Sequence, residues 1–176
     1  MPRHREDSFR IGATAMAARG VSRSTHDVDL LATRQDVLDP AIWADLKQQH
    51  ADVEVEIRTG DDDDPLLGLV KISRRVESPV DIVVGRGAWQ AEVIQRATPL
   101  RVGNSELPVV DAADLILLKL YAGGPQDCWD IEQLLALRPV TLAETVETRL
   151  PALPTRSRSL WHRIRGDQHP CHRPLS

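Results

Sequence analysis

Aromatic residues make up only 3% of this 176-residue chain, with a single Phe, a single Tyr and four Trp. The core must therefore be assembled from Leu, Val, Ile and Ala. Cysteine is nearly missing: Cys128 and Cys171 stand far apart with no CxxC pair. That excludes a disulfide scaffold and points to a reducing compartment. No apolar run approaches the roughly 18 residues that a bilayer span needs. The opening Met1-Pro2-Arg3-His4-Arg5-Glu6-Asp7 lacks the apolar stretch of a signal peptide. A cytoplasmic location without a membrane partner is the expectation. Positive charge is not in excess either. The net charge of −4 argues against a protein that coats nucleic acid non-specifically, but leaves room for a local basic groove.

What is present is an ordinary globular balance, 41% apolar and 27% charged residues in 19.6 kDa. This suffices for one domain with a real core and a helical appendage. Residues 1–7 and 166–176 are polar and expected to be disordered. Ser8 to Ile11 has room for a very short strand. Gly12 allows a sharp turn, and Thr14 to Arg19 is a small-residue helix stopped by Gly20. Asp27 to Ala32 reads as a buried strand bearing acids. Asp39-Pro40 opens a helix with Ile42, Trp43 and Leu46 as its apolar stripe. Val53, Val55 and Ile57 alternate with Glu54 and Glu56, the pattern of a half-exposed strand. The acid run Asp61 to Asp64 lacks EF-hand spacing and reads as a solvated turn.

Further strands are expected at Leu66 to Ser73 and Val80 to Val84, then a helix at Ala88 to Ala97 with Trp89, Val93 and Ile94 on one face. Leu100 to Val102 and Leu107 to Val110 flank a turn as a hairpin. From Asp111 the pattern turns helical. Asp111-Ala112-Ala113-Asp114 resembles a capping box, and Leu115 to Tyr121 is apolar nearly all round. Gly123-Gly124-Pro125 leads into a helix to Leu137 that Pro139 ends. Leu142 to Leu150 forms another helix, and a last short one ends near Trp161. The expected class is α+β, a mixed sheet spanning 8–110 with a helical extension at 111–165 packed on it.

Asp27 and Asp29 are two apart in a strand and so project from one face, where two carboxylates repel and lose hydration. A hard divalent cation with oxygen ligands, Mg²⁺ in particular, resolves that conflict. Asp81 stands in the otherwise apolar Val80-Asp81-Ile82-Val83-Val84. There it needs a metal or a partner, and Arg74 or Arg75 could be that partner. The Gly12 turn into a helix offers free N–H groups and a positive dipole end, suited to phosphate. These parts together describe phosphoryl or nucleotidyl transfer with two metal ions, the third acid taking a proton from an attacking hydroxyl.

Gly12-Ala13, then a small-residue helix, then Arg23-x-Thr25-x-Asp27-x-Asp29 resembles the nucleotidyltransferase superfamily that includes DNA polymerase beta. The likeness is strongest to its AbiEii-like bacterial toxin branch and related uncharacterised proteins. Asp81 matches the family's third acid. Asp111, Asp114, Leu115, Lys119, Asp127, Asp130 and Ile131 resemble the branch's second motif, in which a Lys and a following Asp flank the nucleotide. The resemblance spans roughly residues 9 to 137 and implies the following assignment. Asp27, Asp29 and Asp81 are catalytic and hold two Mg²⁺ ions. Gly12, Ala13, Thr14, Arg23, Thr25 and Lys119 bind the nucleotide of an NTP. The acceptor is a hydroxyl, with tRNA favoured by the toxin likeness, and a cognate antitoxin is implied as a partner. Two departures stand out: Ala13 replaces the usual Gly or Ser, and few residues precede the first strand where members have helical sequence.

Those departures keep an alternative open, a catalytically impaired module of the same fold that binds or regulates. Individual residues have plainer readings as well. The Lys119 amine can snorkel along an apolar surface, and Asp127 and Asp130 suit the first turns of a helix regardless of function. Arg23 and Thr25 can simply shape their loop. His169, Cys171 and His172 lack a fourth zinc ligand nearby. Arg156, Arg158, Arg163 and Arg165 either meet a nucleic-acid backbone or form a solvated helix face.

Overall fold

The computed structural model describes residues 8–11, 28–62, 64, 66–75, 77–102, 105–137 and 139–166, with the backbone alone for 8–11, 102, 105–107 and 139. The expected sites Gly12, Ala13, Thr14, Arg23, Thr25 and Asp27 lie outside the described residues. The architecture is α+β with a mixed sheet, as the patterning predicts. The chain divides into two compact units, with the sheet in the first and residues from Asp111 onward in the second.

The sheet unit holds strands β1 (Ser8–Ile11), β2 (Val28–Ala32), β3 (Val53–Thr59), β4 (Leu66–Arg74), β5 (Glu77–Gly85), β6 (Thr98–Val102) and β7 (Ser105–Val109), in the order β3-β4-β5-β2-β1-β7-β6. β2 runs parallel to β5 and β1 parallel to β7, whereas every other neighbouring pair is antiparallel. Helices α1 (Ala44–Gln49) and α2 (Ala88–Arg96) belong to the same unit.

Strand alternation sorts the two faces. Ala32, Val70 and Ile82 are buried together with Leu30, Val55, Ile57, Ile72 and Val80 around them, and Val37, Leu38 and Trp43 cover them from the segment before α1. Each such aliphatic side chain contributes about 1.5–3 kcal/mol on full burial. Gly68 is required here, since a Cβ on it would stand 2.4 Å from the Arg58 carbonyl and 2.7 Å from Leu38. The Asp39-Pro40 start appears as predicted, with the Asp39 carboxylate accepting from the Ala41 N–H at 2.9 Å. The first turns, however, are 3₁₀, and Ile42 is exposed rather than in the stripe. β5 begins three residues before the expected Val80, and Pro79 within it falls where the β4–β5 register shifts, a position that tolerates proline.

The second unit consists of α3 (Ala112–Ala122), α4 (Pro125–Leu137), α5 (Pro139–Arg149) and α6 (Thr155–Arg165). Gly123 ends α3 in the left-handed region at φ 70°, where glycine costs nothing. Pro139 opens α5 instead of only closing α4, which fits its tolerance at the first helical position. The last helix runs on to Arg165, beyond the expected end near Trp161. No helix among the described residues is long and apolar enough to cross a membrane.

Candidate active site

On the face opposite the apolar cluster, register sets five residues in one row across the sheet. Glu56 of β3 faces Lys71 of β4, Lys71 faces Asp81 of β5, Asp81 faces Asp29 of β2, and Asp29 faces Ile11 of β1. Residues paired across a ladder share a face, so the Asp29 and Asp81 side chains project from the same side of the sheet. Both are partly buried. The Asp81 side chain is 23% exposed, yet its Oδ1 is buried and makes no hydrogen bond among the described residues.

The nearest described cation to Asp81 is neither of the arginines that sequence offered as its partner. Arg74 is engaged at the far end of the hairpin, 2.8 Å from both Asp52 and Glu77. Lys71 takes that place, with its Nζ 4.0 Å from Asp81 Oδ1, beyond hydrogen-bond reach. Lys71, Asp81, Glu56, Arg58 and Leu69 line a hollow of about 110 Å³. Within it Arg58 donates to Glu56 at 2.6 and 2.8 Å. Lys71, Glu56 and Arg58 were not singled out from sequence. The one local signal for them was the alternation of β3 and β4, which places them on the polar face.

Two carboxylates side by side, one with a buried oxygen lacking a donor, form a donor set suited to a hard divalent cation. Asp29 and Asp81 would supply two of the ligands such a cation needs. Among the described residues no group of three or more His, Cys, Asp or Glu side chains gathers to hold a metal ion, and Asp27, expected beside Asp29 and Asp81, lies outside them.

Lys119 belongs to the helical unit and is buried there. Its Nζ lies 3.2 Å from Asp127 and 2.5 Å from the fully buried Asp130, so the amine ends in an ion cluster rather than snorkelling to water. Asp127 also accepts from the Gly124 N–H at 3.0 Å, and Gln126 donates to Asp130 at 3.2 Å. A second cluster joins the helix ends. Asp111 caps α3 by accepting from the Asp114 N–H at 2.7 Å, and Arg149 donates to Asp111 at 2.8 Å and pairs with the buried Asp114 at 3.0 Å. Asp111 thus forms its half of the capping box that sequence suggested, and the acid at N3 pairs with an arginine from α5.

No protein-family model matches the chain, and no curated protein sequence matches it. Solved structures do. The antibiotic-resistance factor ANT(2'')-Ia superposes with a TM-score of 0.52 at 16% identity, over 90% of this chain and 88% of that one. A candidate nucleotidyltransferase from Thermotoga maritima gives 0.48 at 12% identity, over 75% of this chain and 83% of that one. An antigenic nucleotidyltransferase-like protein from Paracoccidioides brasiliensis gives 0.46 at 16% identity, over 88% and 84%. At such identities the likeness is one of fold. The chain has the mixed α+β fold of the nucleotidyltransferases.

Proposed function

We propose that the chain is a metal-dependent nucleotidyltransferase that moves a nucleoside monophosphate from an NTP to a hydroxyl acceptor. The observation that supports this best is the pairing of Asp29 with Asp81 on adjacent strands, with the Asp81 oxygen buried and lacking a described donor. In this reading Asp29, Asp81 and Asp27 hold two Mg²⁺ ions. Bound there, the cations supply positive charge against the triphosphate and the acceptor oxygen. Asp81 accepts the proton of the attacking hydroxyl. The acceptor oxygen bonds to the α-phosphorus, the bond from that phosphorus to the bridging oxygen breaks, and pyrophosphate leaves with the electron pair. Gly12, Ala13 and Thr14 hold phosphate through backbone N–H groups, with Arg23 and Thr25 positioning the acid strand. The toxin-branch resemblance favours tRNA as acceptor and an antitoxin as partner.

The test is incubation of the purified chain with Mg²⁺, each α-labelled NTP in turn and total RNA. Label passes to the acceptor from at least one NTP, and both Asp29→Asn and Asp81→Asn abolish transfer while keeping the wild-type circular dichroism. A folded sample that binds neither Mg²⁺ nor any NTP by calorimetry would instead establish the non-catalytic module.

A further inference from the structure

We infer that the outer face of α6 is a docking surface for the phosphate backbone of a polynucleotide. In a chain with 26 acids against 22 Lys and Arg, the eleven residues of this helix carry Arg156, Arg158, Arg163 and Arg165 and no acid. Among the described residues none of these four arginines forms an ion pair with a carboxylate. Arg156 instead stacks over the Tyr121 ring at 5.6 Å, and Arg165 lies 5.9 Å from the ring of Trp161. Arg158 donates to the Thr155 hydroxyl at 3.0 Å.

Placement on the helix argues against a merely solvated face. Cations in the last turn suit the macrodipole, which accounts for His162, Arg163 and Arg165. Arg156 and Arg158 sit in the first turn, where the positive pole opposes them and an acid would be expected. Ser157, Leu160 and Trp161 are buried on the inner side. The arginines therefore fall into two rows on opposite flanks of the exposed side, Arg156 with Arg163 and Arg158 with Arg165. Within each row the members are seven residues apart, about 10 Å along the axis. Thr155, Ser159 and His162 form the exposed polar ridge between them. Two rows of guanidiniums at that spacing can meet several phosphates at once, and the fork of each suits a phosphodiester. An anionic membrane fits less well, because the apolar side of the helix is already buried and has nothing to insert.

The test omits NTP and Mg²⁺, so it is independent of the reading of Asp29 and Asp81. The full chain is titrated onto a fluorescein-labelled RNA hairpin, and onto a DNA hairpin of the same sequence, across a KCl series. With four phosphate contacts the log–log slope of affinity against salt is about −3.6 for the bound hairpin. The double variant Arg158→Gln/Arg163→Gln brings the slope to about −1.8 and weakens binding at least tenfold, whereas Arg158→Lys/Arg163→Lys keeps the slope. Should the double Gln variant fail to fold, Arg163→Gln alone reduces the slope by about one. Comparison of the two hairpins separates RNA from DNA as the source of the phosphates. Absence of binding to either hairpin, an unchanged slope in the Gln variants, or tighter binding to phosphatidylserine vesicles than to both hairpins would overturn the inference.

Discussion

Lys71 stands directly across the β4–β5 ladder from Asp81, close enough to offset its charge and too far to hydrogen-bond it. The two side chains are partly exposed, at 42% and 23%, so the attraction acts through a wet dielectric and is worth about 1 kcal/mol. The same ammonium repels any cation that Asp81 binds. Lys71→Met is therefore expected to tighten Mg²⁺ binding about fivefold by calorimetry, the factor that about 1 kcal/mol corresponds to. Weaker or unchanged binding would remove Asp81 from the ligand set.

A ligand that binds only the folded state must also raise its melting temperature. At ten times its dissociation constant Mg²⁺ contributes about 1.4 kcal/mol, or roughly 3–6 °C for a chain of this size. Scanning calorimetry of the wild type with and without Mg²⁺ should show that rise. Asp81→Asn should abolish it, while a rise that survives in the variant would place the cation elsewhere.

At the other end of the β3–β4 hairpin, the hydrogen bond from Arg74 holds the Asp52 carboxyl below its ordinary pKa of 3.8. The folded value lies below the unfolded one, so this pair's stabilisation is complete above about pH 4. It is lost as pH falls through the folded pKa. Arg74, raised above its ordinary value chiefly by the same bond, stays charged throughout. Carboxyl chemical shifts followed by NMR should show Asp52 titrating at lower pH in the wild type than in Arg74→Gln. Coincident curves would mean that the contact does not persist in solution.

Much of this was readable because it is local. The parity of Val53, Val55 and Ile57 against Glu54 and Glu56 set the faces of β3, and an acid inside Val80 to Val84 marked Asp81 without knowledge of its neighbours. The partner of Asp81 was not readable. Arg74 and Arg75 are nearer in sequence than Lys71, but the hairpin's register, which carries an irregularity between Ile72 and Arg74, brings Lys71 opposite. Prolines misled where one residue type serves two ends: Pro139 fits the close of one helix and the opening of the next. Lys119 lay beyond reach for a similar reason, since its environment depends on how α4 packs against α3.

That environment makes Lys119 expensive to remove. Asp130 is fully buried and would lose the Lys119 amine 2.5 Å from it. Lys119→Met should cost about 3–5 kcal/mol of stability in urea, whereas the double variant Lys119→Met/Asp130→Leu should recover much of it. A loss below 1 kcal/mol would show the amine to be free for a nucleotide. With the larger loss, a nucleotide-binding defect in Lys119→Met cannot be assigned to a direct contact until the fold has been checked.

Ser157 and Trp161, one turn apart on the inner side of α6, bury a hydroxyl and an indole N–H that have no hydrogen-bond partner among the described residues. A buried polar group left unpaired loses its hydration without return. Ser157→Ala removes the hydroxyl, keeps the backbone and improves helix propensity, so it should stabilise the chain by about 1 kcal/mol. Trp161→Phe also removes a lone donor but leaves a gap in a fully buried site. The cavity outweighs the relief, and a net loss of at least 1 kcal/mol is expected. Urea unfolding of the two variants beside the wild type should therefore give midpoint shifts of opposite sign. A destabilised Ser157→Ala would mean that the hydroxyl is bonded to a group outside the described residues.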